Sequence, residues 1–299
     1  MALDACSRGR SPTPTRWLIG QGRQLLLDRT CVMGILNVTP DSFSDGGAFL
    51  DEGRALARAE EMIDSGAGVI DVGGESTRPG APEVTLEEEM RRVIPVVQAI
   101  SRRMRIPISV DTTKAAVAEA ALDAGAAVVN DVSGLSFDPD MPDTVARHGA
   151  GVVVMHIRGT PKTMQSHVDY TNLIGDISSE LASRLDSAVR MGIEAERVVL
   201  DPGIGFAKTA EQSLLLLQRL SRLEELGRPI LIGPSRKSFI GAVTGAVVGD
   251  RVPGTIAAVV AAVLAGARIV RVHDVRETVQ AVSIADAIRL AGNASEHPH

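Results

Sequence analysis

The residues with chemistry to offer recur at one kind of place. Short apolar runs along the chain break off at Asn37, Glu75, Asp111, Asn130, Met155, Asp201, the pair Ser235 and Lys237, and the pair Arg271 and His273. An apolar run that stops at a polar group reads as a buried strand whose tip meets solvent or a ligand. Arg271 and His273 lie two apart, so on a strand they share a face. Such a cationic pair suits a phosphate-type anion, or else an aspartate on a neighbouring strand. Each tip also has a plainer reading. Asp111 ahead of Thr112 and Thr113 could cap a helix, and Asp201-Pro202 or Asn130-Asp131 could open a turn. A set at every strand end points instead to one shared pocket.

The elements that must position these residues alternate. The sharpest stretch is Cys31 to Gly47, CVMGILNVTPDSFSDGG, an apolar strand with Asn37 at its tip and a long polar loop beyond. Seven further strands are predicted at 69–72, 108–110, 127–129, 151–155, 198–200, 230–232 and 269–272. Helices are predicted between them at 50–65, 85–104, 113–124, 141–148, 173–191, 212–226, 239–247 and 255–265, with a last one at 276–291. Helical spacing of Leu56, Ala59 and Ile63 supports the first, and Thr85 with Glu88 forms a capping-box signature at the start of the second. Strand and helix in alternation demand parallel pairing. Eight such units over residues 17–292 have the size of a single (β/α)8 TIM barrel, an α/β fold, with a short N-terminal hairpin at Trp17 to Leu27. An open doubly wound sheet is the alternative. It is disfavoured because no dinucleotide glycine fingerprint follows the first strand. In a barrel the strand tips share one mouth.

Composition narrows the function. The chain has 299 residues, 44% of them hydrophobic, with a net charge of −6. A sizeable core is affordable, and a general nucleic-acid or anionic-membrane binder is not expected. Aromatics are only 2%, so the core must be Ala, Val, Leu and Ile. Cys6 and Cys31 are the only cysteines, too few for a disulfide framework or a cysteine zinc site, and a reducing cytoplasm is expected. Residues 1–16 read as a disordered leader and 293–299 as a polar tail. The most apolar stretch, Ile256 to Ala267, is too short to span a bilayer. It suits either a helix buried in the monomer or a dimer interface. Ser235-Arg236-Lys237-Ser238 lacks the glycine that a nucleotide P-loop needs before its lysine, and HExxH, EF-hand and GxSxG patterns are absent. The histidines show no metal-ligand spacing. Any metal is expected to be a hard cation such as Mg2+, held by oxygen and a substrate phosphate.

Eight motifs then carry a resemblance. NVTPDSFSDGG from Asn37, GGESTRPGA from Gly73, SVDT from Ser109, NDVSG from Asn130, MHIRGTPKTMQ from Met155, DPGIGFAKT from Asp201, GPSRKSFIG from Gly233 and RVHDV from Arg271 resemble the dihydropteroate synthase family, in order and over about Trp17 to Leu290. The resemblance implies a transferase of folate biosynthesis that joins 6-hydroxymethyl-7,8-dihydropterin diphosphate to p-aminobenzoate. It implies that Asp111, Asn130 and Asp201 bind the pterin edge, with Lys237 at the ring oxygen and N5 and Met155 packed on the ring. It places the diphosphate at Arg271 and His273 and Mg2+ at Asn37. Asp111, Lys237, Arg271 and His273 would be catalytic. Thr77 and Arg78 belong to a second mobile loop, and Phe43, Pro79 and Ser235 would wall the p-aminobenzoate pocket. A cytoplasmic homodimer is implied. Two alternatives are a non-catalytic pterin-binding paralogue and the pterin-binding domain of a corrinoid methyltransferase. The latter has no need of the SRKS motif or the diphosphate loops.

Overall fold

The structure is a computed structural model that describes residues 14–38, 48–78 and 80–294. A hairpin of β1 (Arg16–Leu18) and β2 (Gln24–Leu26) comes first, turned by Gln21 and Gly22 in the left-handed region. Eight parallel strands follow: β3 (Cys31–Asn37), β4 (Val69–Gly73), β5 (Ile108–Asp111), β6 (Val128–Asp131), β7 (Gly151–Met155), β8 (Val198–Asp201), β9 (Leu231–Ile232) and β10 (Ile269–Val272). They pair in the order β8-β7-β6-β5-β4-β3-β10-β9. A parallel bridge between Leu200 and Ile230, with the Leu200 N–H donating to the Pro229 carbonyl at 3.0 Å, brings the two edges together. The fold is a (β/α)8 TIM barrel behind a hairpin, as the alternation predicts.

Helices α1 (Ala48–Asp64), α2 (Leu86–Arg103), α3 (Ala115–Asp123), α4 (Met141–His148), α5 (Leu173–Arg190), α6 (Ala210–Gln218), α7 (Ser238–Thr244), α8 (Val252–Leu264) and α9 (Val275–Ala294) surround it. Two predicted helices are shorter than expected. The 212–226 helix breaks at Arg219, and its second half, Leu220–Leu226, winds as a 3-10 helix. The 239–247 helix stops at Thr244 because Gly245 takes a left-handed conformation that ends the turn. The capping signal also differs. The Thr85 hydroxyl accepts from the Glu88 N–H, but the Glu88 carboxylate is taken by Arg91 and Arg92. The reciprocal box forms at Thr209 and Gln212 instead. No described helix is long and apolar enough to cross a membrane.

Strand parity sorts the core into two parts. Val32, Ile70, Val72, Ile108, Val110, Val129 and Val152 face outward and pack under the helices. Met33, Val69, Val128, Val153, Val199, Leu231 and Ile269 face inward as one apolar layer. The hairpin seals that layer from below. Trp17, Ile19 and Leu27 are enclosed against it, and the Trp17 indole donates to the Arg197 carbonyl at 2.7 Å. Gly151 makes room for this plug: a Cβ there would lie 2.9 Å from Ile19 and 3.2 Å from the Trp17 ring.

Truncating Trp17 to Ala should therefore cost about 3–5 kcal/mol of stability. Urea unfolding followed by circular dichroism measures it, since Trp17 is the only tryptophan. A loss below about 1 kcal/mol would mean that the hairpin does not plug the barrel.

Candidate active site

One rung above the apolar layer, the inward positions turn polar. Asp71, Asp111, Asn130, Asp201 and Arg271 all fall on the inner face, and Met155 ends β7 beside Asp201. The register fixes their neighbours. Gly73 lies opposite Asp111, Asp111 opposite Asn130, and Met155 opposite Asp201.

Arg271 ties one side together. Its Nε donates to Asp71 Oδ2 at 2.5 Å and its Nη2 to Asp111 Oδ2 at 2.6 Å. Asn130 Nδ2 donates to the same Asp71 oxygen at 3.0 Å. Arg271 thus pairs with two aspartates, as its plainer reading has it, but they lie on β4 and β5 rather than on the strands that neighbour β10. Burial pushes the Asp111 carboxyl up to about 7 against the pull of Arg271, with Asp71 adding repulsion. Asp111 does not cap the following helix: the Ala115 N–H donates to Asp138 instead.

Asp201 and Lys237 form the other side. Asp201 Oδ1 accepts from the Gly203 N–H at 2.7 Å, so its turn-forming role is present as well. Burial raises its carboxyl, and Lys237 opposes that. Burial lowers the Lys237 ammonium to about 8, with Asp201 holding it up in part. Lys237 Nζ donates to the Ile204 carbonyl and sits 4.5 Å from the centre of the Phe206 ring, a cation–π contact. Met155 packs with Val132, Ile157, Met164, Ala207 and Phe206.

His273 corrects one expectation. Burial, then the fields of Arg271, Arg236 and Arg78, push its imidazole down to about 4, so the pair is not doubly cationic at neutral pH. Ser235 Oγ accepts from the His273 backbone N–H at 3.2 Å and lies 2.9 Å from Nδ1. The Ser235 hydroxyl can donate to Nδ1 or accept from it as well; where it donates, the neutral ring carries its proton on Nε2. Ser235 therefore touches His273.

The remaining predicted residues lie near the mouth. Asn37 ends β3 opposite Gly73, half-buried, and Thr77 and Arg78 follow β4, with Arg78 exposed. Phe43 and Pro79 lie outside the described residues. Glu75 is held elsewhere: Lys114 Nζ bridges it and the enclosed Glu89 at 2.5 Å each, and its other oxygen accepts from the Val84 N–H at 3.1 Å. Among the described residues, no group of three or more His, Cys, Asp or Glu could hold a metal ion.

Sequence reasoning passed over three features. Asp71 sits in mid-strand in VIDVG, and its signal was a charge inside a strand expected to be buried on both faces. Phe206 carried no signal. The third is a polar chain beneath the β7 and β8 loops. Lys208 Nζ lies 3.0 Å from His156 Nδ1 and donates to the Phe206 carbonyl at 2.9 Å, and His156 Nε2 lies 3.0 Å from Glu180. Burial lowers His156 to about 4 and Lys208 to about 7.

The comparisons agree with this geometry. Residues 33–273 match the family described as "Pterin binding enzyme". The chain belongs to the dihydropteroate synthase family of pterin-binding enzymes. It is 51% identical over 261 residues to a dihydropteroate synthase of Synechocystis, covering 87% of this chain and 90% of that one. A Yersinia pestis dihydropteroate synthase in complex with a sulfonamide drug superposes with a TM-score of 0.87 at 44% identity, covering 92% of this chain and 99% of the other. A Xanthomonas albilineans dihydropteroate synthase bound to 7,8-dihydropteroate gives 0.83 at 41% identity, covering 92% and 98%. Dihydropteroate synthases are transferases of folate biosynthesis, and this chain is one of that class.

His156 predicts an acid-side signature for this synthase. Its folded value of about 4 lies below the ordinary 6.5, so the unfolded chain binds the extra proton between those values. Stability should therefore fall as pH drops from 6.5 to 4, and His156→Gln should flatten part of that slope. Melting temperature measured against pH in both proteins tests this. Parallel curves would assign the acid loss to other groups.

Proposed function

We propose that this chain joins 6-hydroxymethyl-7,8-dihydropterin diphosphate to p-aminobenzoate at the barrel mouth, giving 7,8-dihydropteroate and diphosphate. The observation that carries the reading is the buried set of Asp111, Asn130 and Asp201 at the ends of β5, β6 and β8, flanked by Arg271 and Lys237. Donors and acceptors enclosed this way discriminate strongly, because a ligand lacking the matching groups leaves them unpaired. A pterin offers an amino-pyrimidinone edge that matches carboxylates and an amide. Lys237 suits the ring oxygen and N5, and Met155 suits the ring face. Residues 17–292 act as one catalytic unit.

The diphosphate goes to Arg271 and His273. Arg271 is released toward it once the pterin satisfies Asp111, and His273 offers Nε2–H. For Mg2+ the donor chemistry fits. Asn37 supplies one hard amide oxygen at the mouth, and this cation takes few protein ligands when substrate phosphates complete its shell. Bound there, Mg2+ would offset charge on the departing diphosphate.

The reaction runs as a dissociative substitution. The C–O bond at the pterin methylene breaks, and its electron pair leaves with the diphosphate. Asp111 stabilises the methylene cation that remains, through its negative charge. The neutral aryl amine attacks the methylene carbon and then loses a proton to water. An aniline nitrogen needs no strong base to attack an electron-poor methylene. Loops 39–47 and 76–82, with Phe43, Pro79 and Ser235, wall the p-aminobenzoate pocket, and Thr77 and Arg78 close over it. Two chains pair through the exposed apolar side of α8, where Leu264 is exposed, and the dimer works in the cytoplasm without a membrane or nucleic-acid partner.

Coupled measurement of diphosphate release and dihydropteroate formation in Mg2+ tests the activity. One-to-one stoichiometry is expected, and tight pterin binding without release would refute it. Asp111→Asn should lower kcat by about 100-fold or more, since it removes charge while keeping shape. Turnover within about threefold of wild type would remove Asp111 from this role. The pH profile of kcat/KM should fall below about 7 as Asp111 takes a proton and above about 8 as Lys237 loses one. A profile flat from 6 to 9 would contradict both assignments.

A further inference from the structure

Asp71 has no place in the reaction just described, yet it is fully enclosed at the centre of the site. One of its oxygens, Oδ2, takes both of its bonds, from Arg271 Nε at 2.5 Å and from Asn130 Nδ2 at 3.0 Å. Its other oxygen, Oδ1, has no partner among the described residues. It lies on β4 with Ser109 as its register neighbour on β5, one rung below the Gly73 and Asp111 pair.

A carboxylate paired to a guanidinium presents acceptors only. The end of the Asn130 amide that meets Asp71 must therefore be its NH2, never its oxygen. The amide is planar and carries one oxygen and two N–H bonds. With one N–H committed inward, the oxygen and the second N–H are left side by side for the pocket. We propose that Asp71 is a positioning residue that fixes the polarity of the Asn130 edge and thereby selects a 2-amino heterocycle over its 2-oxo counterpart. This rests on the reading above, in which Asn130 meets the pterin edge.

The selection follows from matching. A pterin shows an amino donor beside a bare ring nitrogen, which pairs with an oxygen beside an N–H. A lumazine shows a carbonyl beside a ring N–H, which pairs with the amide turned over. Asp111 and Asp201 accept in either case and cannot be inverted by rotation. Asn130 is the one group in the ring whose donor and acceptor ends could exchange at no cost in shape, and Asp71 forbids the exchange. Arg271 benefits as well: with Nε anchored on Asp71, its Nη2 is aimed at Asp111.

The test compares binding of 6-hydroxymethylpterin and 6-hydroxymethyllumazine by calorimetry. Wild type should prefer the pterin by about 100-fold. Asp71→Ala frees the amide to turn, and the preference should fall by about tenfold or more. Asp71→Asn keeps a carbonyl oxygen facing Asn130, so it should retain most of the preference even where both ligands bind more weakly. A merely structural role would weaken both ligands by one factor and leave their ratio untouched in every variant, and that outcome overturns the proposal. Asn130→Ala separates the two levels of the argument. If it leaves the preference whole, Asn130 does not read this edge and the underlying reading fails. If it abolishes the preference while Asp71→Ala does not, only the role of Asp71 fails. NMR of the unliganded wild type needs no variant to fold. One Asn130 side-chain amide proton should be shifted downfield and protected from exchange, and two equally unprotected protons would refute the proposal.

Discussion

The site depends on a guanidinium held between two enclosed carboxylates. Arg271 bridges Asp71 and Asp111 across the barrel axis, from β10 to β4 and β5. Three charged side chains this largely buried are tolerable only because each has a partner at hydrogen-bond distance, and removing one would leave the others uncompensated. That constraint requires the strands to be closed into a barrel, because β10 and β5 are not neighbours in the sheet. It also requires the apolar layer and the Trp17 plug below, which keep water from reaching the pair from the other mouth.

The same arrangement prepares the chemistry. Arg271 occupies an oxygen on each of the two carboxylates, so their charge is offset within the site. In the reaction we propose, the pterin exchanges one partner of Asp111 for another and frees a cation for the leaving group. Asp201 and Lys237 repeat the logic on the opposite wall, with burial raising the acid and lowering the base toward neutral pH. Groups poised this way change charge state with little driving force, which suits a reaction that builds and discharges a cation.

Much of this was legible along the chain. Eight apolar runs alternating with helical spacing required parallel strands, and the size required a barrel. Asp111, Asn130, Asp201, Lys237, Arg271 and His273 stood out because each ends such a run. Asp71 did not, because a residue inside a run looks like core until the strand's inward face is known. The charge state of His273 was also hidden, since it depends on burial and on Arg236 and Arg78 from other parts of the fold as well as on nearby Arg271. The misplaced capping box records local competition: Glu88 had arginines within reach on its own helix, and Gln212 did not.

Local sequence by itself determined the strand and helix order, the alternation of faces along each strand and the polar identity of each tip, because these follow from chain stereochemistry and hydrophobic periodicity. Only the tertiary structure decided which tips touch. Arg271 and Asp71 are 200 residues apart, and Asn130 and Asp71 are 59 apart. Their contact is set by strand register and barrel closure, which no short window of sequence contains. The protonation of the site belongs to the same level, since burial and neighbouring charge exist only once the barrel has closed.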